Sequence, residues 1–222
     1  MKGAVRRYYF PAAGTILLAL TLVGFSDNLF TDVGQPSNSD PKFIVHGLLC
    51  GAWIILFAAQ SWLIGSGRLR LHRKLGIAGV AVAAGVALST LWVFVAVWHG
   101  WAALDMESQA NRFLLPSYAL FVALGLRNRM RPDWHRRYLY TGTLFMLGPV
   151  LGRTYDPLVV PFMRGWTVPQ IDAAYHVAYL VVWFTFFVSL LAFDAVTLRR
   201  IHPVSAAALA WFSAIWAIVY LI

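Results

Sequence analysis

The chain has 222 residues, 60% of them apolar and only 12% charged, with a mean hydropathy of +0.67 and a net charge of +9. That balance excludes an ordinary soluble domain, and a lone cysteine, Cys50, excludes an intramolecular disulfide and any cysteine-based zinc site. The positive charge would suggest nucleic acid in a soluble protein. Here it sits in short loops between apolar stretches, so anionic lipid headgroups are the expected partners and nucleic acid is not.

A bilayer crossing needs about 20 mostly apolar residues. Stretches of that kind run over 11–30, 43–64, 74–98, 111–127, 138–152, 173–196 and 204–221. The expected fold is therefore all-α, a bundle of seven transmembrane helices forming one integral membrane domain over residues 1–222. Of the 18 cationic residues, 14 fall before the first stretch or in alternate loops: Lys2, Arg6 and Arg7; Arg68, Arg70, Arg73 and Lys74; Arg127, Arg129, Arg131, Arg136 and Arg137; Arg199 and Arg200. Seven of the nine carboxylates (Asp27, Asp32, Asp40, Asp105, Glu107, Asp156 and Asp172) fall in the other loops. This positive-inside pattern predicts a cytoplasmic N-terminus, an outer C-terminus and a place in the bacterial cytoplasmic membrane. Ten tryptophans suit the two interfaces.

In chain order, the first stretch also reads as a signal peptide. Met1–Arg7 is basic, Thr15–Val23 apolar, and Gly24 and Ser26 small enough for cleavage. We read it as a retained span, with Pro11 placed at the helix start, where a missing N–H is harmless. Breaker residues fall in loops: Gly34-Gln35-Pro36 with Asp40-Pro41, Arg131-Pro132, and Asp156-Pro157 through Pro169. The second and sixth spans read alike. His46, Trp53 and Phe57 recur as His176, Trp183 and Phe187, and each of these histidines precedes an inner one, His72 or His202, by 26 residues. Between them Gln109 stands 26 residues before His135, which suggests stacked helical hairpins following an extra first helix.

The histidines are the candidate cofactor ligands. An ionisable residue inside hydrocarbon is costly and marks function or a specific partner. His46 and His176 lie at similar depth near the outer ends of their spans, as a bis-histidine haem b would require, with Trp53, Phe57, Trp183 and Phe187 available to pack the porphyrin. His72 and His135, at inner helix ends, would form a second, inner pair. The alternative is that these side chains bind neighbouring helices or lipid headgroups. His99 and His202 read as interfacial. His46 and Cys50, four residues apart, share a helix face that suits copper, but no third ligand is evident. Arg153 is placed to meet an anionic headgroup, a quinone oxygen or a haem propionate, or to pair with Asp156. No phosphate-binding loop, His-Glu-x-x-His helix or nucleophile elbow occurs, no catalytic residues stand out, and the last span has no lysine for a retinal Schiff base.

The run from Phe43 to Tyr155 resembles an uncharacterised family of bacterial multi-pass membrane proteins. The resemblance rests on His46, on His72-Arg73-x-Leu75-Gly76, on His135-Arg136-Arg137 and on Arg153. It implies a membrane bundle with recurrent histidines. The arrangement is also distantly similar to the transmembrane haem-b ferric reductases, which implies two level histidine pairs. The expected function is haem-b-dependent electron transfer across the membrane, with a quinone or partner membrane subunits as candidate partners. The alternatives are a non-enzymatic subunit of a larger complex or a small-molecule permease.

Overall fold

A computed structural model describes residues 2–31 and 36–221, so Asp32, Gly34 and Gln35 lie outside the described residues. Among the described residues there are eight α-helices and no strand. They are α1 (Lys2–Gly24), α2 (Pro41–Gly65), α3 (Leu69–Ala96), α4 (Met106–Arg127), α5 (Pro132–Phe145), α6 (Gly148–Leu158), α7 (Val168–Leu198) and α8 (Pro203–Leu221). Four of these, α2, α3, α7 and α8, are long and apolar enough to cross a membrane. The other two long helices carry charge within their length, Arg6 and Arg7 in α1 and Glu107, Arg112 and Arg127 in α4.

Two expectations change. The helix that contains Pro11 begins at Lys2, so this proline is interior rather than at the first turn. The stretch 138–152 is not one helix. It is divided between α5, which ends at Phe145, and α6, which begins at Gly148. Pro149 explains the break, since its ring would collide with the carbonyl four residues back, that of Phe145, and it has no N–H to donate. The freed backbone is re-satisfied locally. Leu147 N–H donates to Leu144 O at 3.2 Å, and the buried Trp183 indole donates to the same carbonyl at 2.8 Å.

Short turns join α2 to α3, α4 to α5 and α7 to α8, and each pair packs as an antiparallel hairpin. The equivalent Trp53 and Trp183 are both buried and reach adjacent residues of α5: Trp53 donates to Thr143 Oγ1 at 3.1 Å, and Trp183 to Leu144 O. An indole N–H inside an apolar bundle needs such an acceptor. Helix α1 packs across α2, α6 and α7. At Gly14 an added Cβ would lie 3.0 Å from the backbone of Ala58, so only glycine allows α1 and α2 this separation. The shared core includes Leu17, Ile54, Val86, Leu114, Tyr140, Phe187 and Phe212, all buried.

Helix ends are capped from the sequence. Asp40 accepts from Lys42 N–H at 3.1 Å, Asp105 accepts from Ser108 N–H at 2.7 Å, and Thr167 with Gln170 forms a reciprocal box at the start of α7. Arg7 Nε donates to Gly65 O at 2.6 Å and Arg112 to Phe94 O at 2.8 Å, so two cations sit at the negative ends of α2 and α3.

Candidate functional site

Two of the candidate histidines, His72 and His135, come together. His72 lies in the first turn of α3 and His135 in the first turn of α5, and their ring centres are 6.4 Å apart at an interplanar angle of 84°. His135 Nδ1 lies 2.8 Å from Gly125 O. A carbonyl only accepts, so Nδ1 is the donor in this contact. Gly125 permits this contact, because a Cβ there would meet Leu139 Cδ2 at 2.8 Å. His72 Nδ1 and the nearby Gln60 Oε1 are buried and unpartnered. Gly76 and Gly79 follow His72 along one face of α3. Gly76 meets nothing nearer than Gln60 Nε2 at 3.8 Å, and Gly79 has nothing within 4 Å, which leaves that face open. Arg73 and Lys74 flank the pair and are exposed.

Two imidazoles sharing one metal at about 2 Å on each side would have ring centres about 6 Å apart. The His72–His135 separation agrees with that spacing. The glycine face beside His72 is open, and the flanking Arg73 and Lys74 are cationic.

His46 and His176 are held separately. His46 Nδ1 is 3.0 Å from Ser89 Oγ of α3, and its Nε2 lies 3.5 Å from Cys50 Sγ. His176 Nδ1 faces Glu107 Oε1 of α4 at 3.3 Å. Among the described residues, no hydrogen bond or ring contact joins His46 to His176. Nor do three or more His, Cys, Asp or Glu side chains converge as a metal site would require. His202 is buried rather than interfacial. Its ring lies 4.8 Å from that of Trp134, and its Nδ1 accepts from Val204 N–H at 3.2 Å. Burial and the nearby Arg137 charge push its pKa down, so it stays neutral.

A fully buried ion pair went unrecognised in the sequence. Arg137 of α5 and Asp194 of α7 are both 0% exposed, with Arg137 Nε 2.8 Å from Asp194 Oδ1 and Nη2 also bonded to it. Asp194 Oδ2 accepts from His202 N–H at 3.0 Å, and Arg137 Nη1 donates to Asp133 O at 2.8 Å. The pair ties α5, α7 and the segment before α8 together. An acidic residue inside an otherwise apolar stretch was the available signal, since such a group survives burial only when paired.

A cavity of about 570 Å³ opens between the starts of α4, α6 and α7. It is lined by the acidic Asp105, Glu107 and Asp172, by Arg153, and by Asn111, Gly148, Tyr175 and His176. Arg153 is fixed by a 2.5 Å bond to Asn28 Oδ1 and lies over the Phe25 ring at 4.6 Å. No family model, curated protein or solved structure matches this chain.

Proposed function

We propose that this protein crosses the membrane seven times from a cytoplasmic N-terminus, and that it holds haem b between His72 and His135 near the inner face as a one-electron relay. The charge asymmetry supports the orientation. In this reading α5 and α6 together form the fifth crossing, over 132–158. The observation that carries the haem assignment is the 6.4 Å spacing of the two rings. Bound haem supplies reversible one-electron chemistry.

The chain's own residues do the rest. The Gly125 carbonyl holds His135 in the Nδ1–H tautomer and aims its Nε2 away from α4. Gly76 and Gly79 keep side chains out of the space beside His72. Arg73 and Lys74 supply positive charge for carboxylates at the inner surface. His46 and His176, already engaged by Ser89 and Glu107, serve packing and the outer cavity in this reading. A second reading, a small-molecule permease, is favoured by that cavity.

The test is haem content and low-spin spectrum in four single variants of the detergent-purified protein. His72→Ala and His135→Ala are expected to lose the low-spin bands, while His46→Ala and His176→Ala keep them. Loss of the bands in His46→Ala and His176→Ala, with retention in the inner pair, would move the site to the outer histidines.

A further inference from the structure

The cavity beside the starts of α4, α6 and α7 carries both signs of charge and one buried acceptor without a donor, independently of His72 and His135. Gly148 is the key to the floor. A Cβ there would lie 3.0 Å from the Tyr179 hydroxyl, 3.2 Å from Asn111 Oδ1 and 3.3 Å from the Trp183 ring. Its absence lets those two polar groups approach the same point. Asn111 Oδ1 is buried and has no donor. Buried polar atoms left unpaired in this way cost free energy, which a ligand can relieve.

The lining of the cavity includes groups of opposite sign. Glu107 and Asp172 present carboxylates, with Asp105 behind them committed to capping α4. Arg153 is held rigidly by Asn28 and Phe25 with donors to spare. Helix α6 starts at Gly148 with no side-chain cap, so the positive end of an 11-residue helix borders the same space. A purely cationic ligand would meet Arg153 and the helix end unfavourably. A purely anionic one would meet the carboxylates. A molecule with an ammonium and a carboxylate on one carbon satisfies both poles.

We infer that this cavity binds a free α-amino acid, with its ammonium group toward Glu107, Asp172 and Asn111 and its carboxylate toward Arg153 and the start of α6. The side chain of the ligand lies against Tyr175 and Pro149. A membrane-embedded broken helix commonly offers such a terminus to an anionic group.

The experiment is calorimetric binding of each of the twenty L-amino acids to the full-length protein in detergent. For the tightest binder, the amine lacking the carboxylate and the acid lacking the amine are then titrated. At least one amino acid is expected to bind saturably, and both single-charge analogues at least about tenfold more weakly. Glu107→Gln and Asp172→Asn, conservative changes at partly exposed positions, are each expected to weaken binding by about tenfold with the helical circular dichroism unchanged. Saturable binding by none of the twenty overturns the inference. So does an amine that binds as tightly as its parent amino acid, or unchanged affinity in the Glu107→Gln/Asp172→Asn double variant.

Discussion

Removing Asp194 tests the inner ion pair most sharply. In the folded chain its carboxylate takes Arg137 Nε and Nη2 on one oxygen and His202 N–H on the other, all with 0% side-chain exposure for the pair. In Asp194→Ala the Arg137 guanidinium keeps only the Asp133 backbone carbonyl at 2.8 Å, with the Asp133 carboxylate at 3.6 Å. Breaking a buried pair in this one-sided way costs about 3–5 kcal/mol, and the orphaned His202 N–H adds about 1 kcal/mol. Arg137→Met is expected to cost a similar 3–5 kcal/mol, because it leaves a buried carboxylate with one backbone donor. The double variant Arg137→Met/Asp194→Leu removes both charges and is expected to be considerably more stable than the sum of the singles. The assay is reversible unfolding in mixed micelles titrated with sodium dodecyl sulfate, read by circular dichroism. Losses under about 1 kcal/mol in both single variants, the level of exposed pairs, would refute the placement of this pair in the bundle.

Other outcomes follow from the same geometry. Because the folded pKa of His202 is lowered, its unfolded form binds protons first on acidification. Stability is therefore full above about pH 6.5 and declines as the pH falls from there through the folded pKa. Unfolding midpoints between pH 8 and 5 check this, and His202→Asn should flatten the dependence. Arg199 ends α7 in the left-handed region at φ 58°, so Arg199→Gly is expected to stabilise the protein by about 1 kcal/mol in the same assay. Gly14→Val should destabilise by about 1–3 kcal/mol, since its Cβ would press on the Ala58 backbone at 3.0 Å, whereas Gly47→Ala, with open space around it, should not.

The sequence conveyed the helical class and the stretches of apolar chain because those depend on local composition and length. The hairpin repeat was also legible. Trp53 and Trp183 recur at the same offset from a histidine, and both find acceptors on neighbouring residues of α5. The break at Pro149 was missed because the apolar run continues through it, although Gly148-Pro149 carried the signal. Depth along a helix made His46 and His176 look equivalent, but depth does not determine which helices face each other. Their partners, Ser89 and Glu107, lie on α3 and α4 and emerge only from packing. The His72–His135 approach depends on Gly125 letting α4 and α5 close together, a contact between residues ten apart across a turn. Asp194 was visible as the one carboxylate in its stretch, yet the choice of Arg137 over Arg136 as its partner follows from helix rotation.

The central claim is a haem between the inner histidines, and the most direct measurement is a dithionite-reduced minus oxidised visible spectrum of the purified protein, expressed with ample haem. The account predicts sharp reduced α and β bands that disappear in His72→Ala and in His135→Ala. A flat visible spectrum in the wild-type protein would contradict it.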